Sequence, residues 1–385
     1  MPHVALTLPP PLQRDVDVIR LLANVNATNS STTLAKPAGI NYVDDNVIEQ
    51  LEKAAWALDC ENTAHVLLPI VLGTGLLLGL LSLVGAGRRV RTAGDTFLVA
   101  FLVCSELLMI CGLVIKLQEY MEHSVAYEHL YGYIKCLHDW LWFSTLWILI
   151  VMTLERAMSA PPSRSRSTCS RAQAAVVSLL ICGVCLLSAL PQFWEYEVTE
   201  TFDYGSNQTI VMAQLSELAD SPQFAILYFW YAAVLSVLLP FPLFALICVL
   251  LVRSMRKHRL SRQNVPTSDV LSRRLQRSAV DEHGARLCLV LILLYVLCTG
   301  PASCLVLAHG VRPHWTWSQP DLYAGLFPLL ELVFYFFYAT VFFLLLSYSD
   351  RFRRQLRRSL CCCCPVKEEE PPTAEHSMLK PRKAR

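Results

Sequence analysis

Ionisable side chains occur inside and at the ends of long apolar runs in this sequence. Glu155 and Arg156 close the run WILIVMTLERAMS, and His138 and Asp139 lie upstream in the same run. A charge deep in a lipid bilayer costs on the order of a few kcal/mol or more, so such groups usually have a partner or a task. A task of this kind is one interpretation of an adjacent acid and base at a helix end. The alternative is an arginine that reaches the lipid headgroups beside a neighbouring acid.

Other polar and aromatic residues within or beside these runs could contact a bound molecule. Six candidates follow from ionisable type or from aromatic character: His138, Asp139, Trp142, Glu331, Trp194 and Lys116. Each has a structural alternative as well. Glu331 could pair with Lys116 or with His138, and the two tryptophans could be packing residues or interfacial anchors. The ionisable groups in these runs are too isolated for a metal site, so the sequence predicts no metal, no cofactor and no enzymatic activity.

The elements that must position these residues follow from composition. The chain of 385 residues is 54% hydrophobic and 17% charged, with a mean hydropathy of +0.41, which is unusual for a soluble domain. Apolar runs long enough to cross a bilayer of about 30 Å lie near residues 65–86, 96–117, 133–158, 173–193, 222–252, 285–308 and 322–347. We therefore expect an all-α membrane protein, a seven-transmembrane helix bundle, over 61–348. It would follow an N-terminal segment, 1–60, and precede a tail, 349–385, that begins with a short amphipathic helix.

Orientation follows from the basic residues. Arginines follow spans one, three and seven and fill the loop at 253–286, whereas 195–223 contains no Lys or Arg. The positive-inside rule then predicts an extracellular N-terminus and a multi-pass protein of the plasma membrane. Three sequons lie on the predicted outer side and are candidates for glycosylation, at Asn26, Asn29 and Asn207. The first residues lack the pattern of a cleavable signal peptide.

These features together resemble the rhodopsin-like G-protein-coupled receptors, which have seven spans, an outer N-terminus and an acid–Arg pair at the end of span three. Pro240 in span five is similar to the proline of the family, and CTGP, with Cys298 and Pro301, is similar to its span-six motif. STLWILIVMTLER and CLLSALPQFW look most like members of the peptide-receptor branch. The resemblance implies an extracellular peptide or small-molecule ligand and a heterotrimeric G protein as partners, and no nucleic acid.

The resemblance also implies a switch. In the resting family receptor, acids at the foot of span six hold the span-three arginine, and outward movement of span six releases it. Asp281 is the matching acid here, so Arg156 paired with Asp281 is the expected lock, with Glu155 beside it. Exposed ion pairs contribute only about 0.2–1 kcal/mol, so this pair would bias the equilibrium. Pro240 and Pro301 are either bending points or static kinks.

Departures from the family pattern matter as well. Glu106 stands where an aspartate is expected in span two, the span-one asparagine is missing, and the span-seven motif is replaced by VFFLL at 341–345. In the family, the span-two acid and polar neighbours from span seven hold a sodium ion. Glu106 would instead face Phe337 and Val341, which are apolar, so we expect the sodium site here to be weak or absent. The loop at 195–223 has no cysteine for the family disulfide. Cys60 and Cys136 either form a bridge in the oxidising exterior or remain free thiols.

Both ends of the bundle suggest partners. Acidic residues without a base in the loop after span four favour a basic peptide or an amine: Glu195, Glu197, Glu200, Asp203, Glu217 and Asp220. At the other end, a basic amphipathic segment precedes four candidates for palmitoylation, Cys361, Cys362, Cys363 and Cys364, which would anchor the tail to lipid.

The closest rival to a signalling receptor is a signalling-silent receptor-like scaffold or decoy, because the span-seven motif is lost. A transporter would show matching broken half-repeats, which the sequence lacks.

Overall fold

The computed structural model describes residues 45–87, 90, 92–118, 125–159, 169–203, 208–263, 269–311 and 320–360. Seven helices in these ranges are long and apolar enough to cross a membrane. The helices of spans one to four are Asp45–Gly87, Ala93–Gln118, Val125–Ser159 and Arg171–Ala189. Span five comprises Pro222–Ala233, a π-helical segment Val234–Leu238 and Pro240–Gln263, and spans six and seven are Asp269–Val311 and Pro320–Tyr348. The predicted seven-helix architecture is confirmed.

A β-hairpin joins spans four and five, and the sequence analysis did not predict it. Span four ends in a 3₁₀ turn, Leu190–Trp194, and the chain then forms β1, Tyr196–Asp203, and β2, Gln208–Leu215. The strands are antiparallel, with Tyr196 opposite Leu215. A one-turn helix, Glu217–Asp220, leads into span five. We call the end of the bundle with this hairpin the outer end and the opposite end the cytoplasmic end, following the orientation that the basic residues predict.

Span three is the central helix of the bundle. In the most apolar stretch of span three, 72% is buried inside the bundle, whereas the corresponding stretches of spans one and four are each 28% buried. The core around it is closed by large apolar side chains from the other spans, among them Leu72, Phe97, Leu108, Phe244, Leu291 and Phe337. Leucines that point away from this core are widely exposed, such as Leu179 and Leu227, which is expected where a helix faces lipid.

Local sequence sets several helix ends. Ser170 and Gln173 form a capping box that begins span four. Pro240 has no N–H to donate, and the helix before it widens into the π segment, in which the Leu239 N–H donates to the Val234 carbonyl at 3.0 Å. The irregularity therefore falls in the outer half of span five.

The amphipathic helix predicted after span seven is confirmed at Asp350–Leu360. Phe352 and Leu356 are buried, while Arg353, Arg354 and Arg357 are exposed. The ring of Phe352 lies against Gly85 of span one and contacts Phe342 with ring centroids 6.0 Å apart. One face of this short helix is thus fixed to the bundle, and the other presents basic side chains.

Candidate functional site

A buried polar cluster occupies the outer half of the bundle around span three. The Lys135 Nζ lies 3.3 Å from Asp139 Oδ2, and both residues are buried. His138 Nδ1 donates to Asp139 Oδ1 at 2.8 Å, because a carboxylate can only accept. The other ring nitrogen, Nε2, then accepts from the Tyr335 hydroxyl at 2.8 Å. Gln192 also donates through Nε2 to Asp139 Oδ2.

A second ion pair ties span two to span seven nearby. Lys116 Nζ lies 3.2 Å from Glu331 Oε2, and both side chains are largely buried. Gly112 makes room for Tyr335, whose hydroxyl would be 2.6 Å from a β-carbon at that glycine. The structural alternative in which Glu331 pairs with Lys116 therefore holds. His138, Asp139, Lys116 and Glu331 are held in contacts within the bundle, and a direct role in ligand binding stays a prediction.

A narrow apolar crevice opens between spans three, five and six. Its lining includes Trp142 of span three, Phe229, Ser236 and Val237 of span five, and Ser303 and Leu307 of span six. Trp142 packs edge-on against Phe334 of span seven, with ring centroids 6.3 Å apart. Trp194 is not a wall of this crevice, because the 3₁₀ turn carries it to the surface, where it is 61% exposed.

The β-hairpin is fixed to span three by polar and aromatic contacts. The Ala213 N–H donates to Glu128 Oε2 at 2.9 Å, and Tyr131 and Tyr196 meet edge to face with ring centroids 5.0 Å apart. Burial raises the pKa of Glu195, at the base of the hairpin, to about 7, although nearby Lys135 acts in the opposite direction. Exposed acids line the hairpin and the turn that follows it: Glu197, Glu200, Glu217 and Asp220.

No disulfide joins Cys60 to Cys136 in the structure, so the bridge considered above is absent and both are free thiols. Cys136 is buried against the end of span four, where its thiol donates to the Ala189 carbonyl at 3.4 Å. Cys60 is half-buried on the outer part of span one. Neither cysteine lies in the hairpin, whose contacts with span three described above are noncovalent.

The acid–Arg pair lies at the cytoplasmic end of span three as predicted. Arg156 Nε is 3.8 Å from Glu155 Oε2, and the guanidinium extends between Gly94 of span two and Gly284 of span six. Asp281 is part of the span-six helix, but its side chain lies outside the described residues, so the Arg156–Asp281 lock stays a prediction. Within the same span-six helix Cys298 is buried and Pro301 is exposed.

Glu106 occupies the middle of the bundle at the boundary with span one. It is 7% exposed, and its carboxylate fills the space beside Gly79, where a β-carbon would lie 2.7 Å from Oε2. Phe337 and Val341, the residues that the sequence analysis placed opposite Glu106, are buried in the same core. Across the ranges that the structure covers, no three His, Cys, Asp or Glu side chains are grouped to hold a metal ion.

Several functional candidates of the sequence lie outside the described residues. They are the sequons Asn26, Asn29 and Asn207 and the cysteines Cys361, Cys362, Cys363 and Cys364. Conversely, the sequence analysis missed Lys135, Gln192 and Tyr335. Lys135 had a signal, since it stands four residues before Asp139 on one helix face. Gln192 and Tyr335 had none, because only packing between spans brings them to His138 and Asp139.

Comparison with known proteins gives one family. Residues 78–339, more than half of the chain, match the family described as "7 transmembrane receptor (rhodopsin family)". No curated protein matches the chain. The matched region begins within span one and ends within span seven, so it contains the polar cluster, the crevice and the acid–Arg pair.

Proposed function

Because this chain belongs to the rhodopsin family of seven-transmembrane receptors, we propose that it is a plasma-membrane receptor for an extracellular peptide with an aromatic anchor and basic residues. Family membership makes the chain a multi-pass membrane receptor that responds to an extracellular ligand and couples to a heterotrimeric G protein, and not an enzyme. The kind of ligand is the part that we argue from the site.

The observation that carries the proposal is an apolar crevice between spans three, five and six, in a bundle whose outer end carries an acidic hairpin. Trp142 and Phe229 present aromatic surface in the crevice, and Ser236 and Ser303 add hydroxyl groups among apolar neighbours. Such a lining matches the chemistry of an aromatic or aliphatic side chain with one polar group. The volume of the crevice is only about 10 Å³, so spans five and six must move apart to admit that side chain. None of the described residues that line the crevice is charged, so the crevice offers no counter-ion to a charged group of the ligand.

The charged part of the ligand is expected to meet the hairpin instead. Glu197, Glu200, Glu217 and Asp220 are exposed, and no Lys or Arg occurs from 195 to 223. An acidic mouth of this kind attracts cations and raises the rate of association, more strongly at low salt. A peptide can satisfy both features at once, because an aromatic side chain enters the crevice while basic neighbours remain at the surface.

A column of aromatic rings leads from the crevice toward the cytoplasmic end. Trp142 contacts Phe334, and Tyr338 connects Phe334 to Phe337 with centroid distances of 5.3 and 5.1 Å. Tyr295 of span six then packs between Phe337 and Phe244, at 5.3 and 5.5 Å. A ligand that moves Trp142 would disturb this packing, which joins spans three, five, six and seven. We propose that span six then swings outward about Pro301, that Pro240 lets span five follow, and that Arg156 is released for the G protein.

The test measures G-protein dissociation in cells with synthetic peptides that share one aromatic residue and differ in its flanks, two Lys or two Glu. We expect only the Lys peptides to activate. Reversal of the exposed pair, Glu197→Lys with Glu200→Lys, should lower their potency about tenfold, and added salt should reduce that difference. Asp59→Lys with Glu61→Lys, a reversal of two exposed acids on span one, is the matched control and should have little effect.

Two outcomes contradict the proposal in different ways. Activation by the Glu peptides, or equal potency in the reversal variant and wild type, would show that the hairpin acids do not select the ligand. The other outcome is that the wild-type protein reaches the cell surface at a normal level but dissociates no class of G protein, with or without peptide, more than cells that lack it. This result would favour the signalling-silent scaffold. The VFFLL segment in place of the family motif of span seven is the observation that keeps this second function in view.

A further inference from the structure

We infer that Gly94 is a positioning residue of the cytoplasmic switch, because its missing side chain leaves the gap in which the Arg156 guanidinium rests between spans two and six. The inference rests on the proposed signalling function and adds a residue that the acid–Arg motif does not contain. It concerns the resting state, in which the arginine has not yet been released.

The contacts of Arg156 define this gap. A β-carbon at Gly94 would lie 2.6 Å from Cζ and 2.7 Å from Nε of Arg156, and it would overlap a terminal guanidinium nitrogen. No side chain larger than hydrogen fits there while Arg156 keeps its place. At Gly284 a β-carbon would lie 3.9 Å from both Cζ and Nε, which is an ordinary van der Waals distance. The guanidinium thus rests directly on span two and reaches span six.

Gly94 is held in position by the cap of its own helix. The Asp95 N–H donates to Thr92 Oγ1 at 3.2 Å, and the Thr92 N–H donates to Asp95 Oδ2 at 3.0 Å. This reciprocal pair fixes the first turn of span two. Ala93 and Phe97, on either side, are buried at 2% exposure. The backbone at Gly94 therefore has little freedom to withdraw from a larger residue.

Arg156, in contrast, can move. Its guanidinium is the far end of a flexible chain, with 27% of the side chain exposed. A methyl group at position 94 should therefore displace the arginine and leave the helix intact, particularly since alanine favours a helix more than glycine does. Gly94→Ala thus changes the resting position of the switch arginine without changing the arginine itself.

Displacement should favour the active state. Gly284 stands three residues after Asp281 on the same helix face, so the resting guanidinium lies about one turn from its expected partner. An arginine that is pushed out of the gap loses its contact with spans two and six together. Fewer contacts of Arg156 then oppose the outward movement of span six, and the population of the active state rises.

The experiment measures basal nucleotide exchange on a panel of G proteins by purified full-length receptor in lipid nanodiscs. We expect Gly94→Ala to raise basal exchange about three- to tenfold. Gly87→Ala, where a β-carbon meets nothing within 4 Å, is the control and should stay within about twofold of wild type. A second readout, the distance between spin labels at the cytoplasmic ends of spans two and six, does not require Arg156 to act on a G protein. Gly94→Ala should lengthen this distance in the wild-type background and leave it unchanged in an Arg156→Ala background, because the displaced group is then absent.

Other results overturn the inference. A Gly94→Ala receptor with unchanged or lower basal exchange would show that the gap does not restrain the arginine. An equal lengthening of the label distance with and without Arg156 would assign the effect to the helix rather than to the guanidinium. Absence of exchange by wild type, with and without the Lys peptides, overturns the proposed function and this inference with it. A responsive wild type with an inert Gly94→Ala overturns the inference alone.

Discussion

At the scale of single residues, glycines in this bundle leave space for functional side chains of neighbouring spans. Gly79 admits the carboxylate of Glu106, Gly112 admits the hydroxyl of Tyr335, and Gly94 admits the guanidinium of Arg156. The sequence analysis noted separately that span one lacks an asparagine and that span two carries Glu106 rather than aspartate. The structure shows where the longer acid goes, because its carboxyl group occupies space beside Gly79 of span one.

Gly79→Ala should destabilise the receptor through this contact. The new β-carbon would lie 2.7 Å from Glu106 Oε2 and closer to the rest of the carboxyl group. Glu106 is buried, so its carboxyl group has little space to enter. We expect a loss of about 1–3 kcal/mol, the usual cost of overpacking, seen as a lower midpoint of thermal unfolding in detergent.

Two variants separate this contact from a general effect of alanine in span one. Gly73→Ala, where a β-carbon has no neighbour within 4 Å, should unfold at or slightly above the wild-type temperature. Glu106→Ala should remove most of the penalty of Gly79→Ala, because the clashing carboxyl group is gone. If Gly79→Ala is as stable as Gly73→Ala, the bundle has more room near Glu106 than the structure indicates.

At the scale of elements, the seven spans could be predicted from the sequence, whereas the way in which they pack against one another could not. Long apolar runs and flanking arginines are local signals, and the seven spans follow from them. The strands of the hairpin mix apolar and polar residues, as in YEVTETFD and QTIVMAQL, and the sequence analysis saw in them only an acidic loop. For the site, ionisable residues in apolar runs identified His138 and Glu331, and the pair of Glu331 with Lys116 was one of two alternatives for the acid. The choice between them, and the contact of His138 with Tyr335, depend on how spans two, three and seven pack.

The hairpin should become less firmly seated as the outer pH rises. Burial raises the pKa of Glu195 from 4.5 to about 7, with Lys135 opposing and Asp139 assisting that shift. The seated form therefore binds a proton more tightly than a lifted, solvated form does. Below about pH 4.5 Glu195 is protonated in both forms, so its ionisation does not oppose the seated form. Between pH 4.5 and 7 the lifted form loses the proton more readily, and the free-energy cost of keeping the hairpin seated grows with pH. Above pH 7 this cost is constant.

Hydrogen–deuterium exchange of the strand amides measures this effect. We expect protection of the strands to fall on the order of tenfold between pH 5.5 and pH 8, after correction for the intrinsic exchange rate. Glu195→Gln should abolish the pH dependence, and Glu197→Gln, an exposed neighbour, should keep it. The same slope in wild type and Glu195→Gln would show that another group controls the hairpin.

At the scale of the whole molecule, polar contacts in the outer half of the bundle connect span seven to its neighbours. The Lys116–Glu331 ion pair connects it to span two, and the Tyr335–His138 hydrogen bond connects it to span three. Both contacts lie in the outer half, on the same side of the bundle as the crevice. A ligand that strains the outer ends of these spans therefore acts on the contacts that fix span seven.

The ion pair should show the asymmetry that is expected of partly buried charges. Lys116→Gln or Glu331→Gln alone leaves one charge that has lost its near counter-ion, which should cost about 3 kcal/mol in unfolding free energy. The double variant, Lys116→Gln with Glu331→Gln, should recover at least half of that loss, because two amides can hydrogen-bond without a buried charge. Thermal unfolding of the four proteins in nanodiscs gives the coupling energy directly. Additive losses would mean that the two side chains act independently and that span seven is held by apolar packing instead.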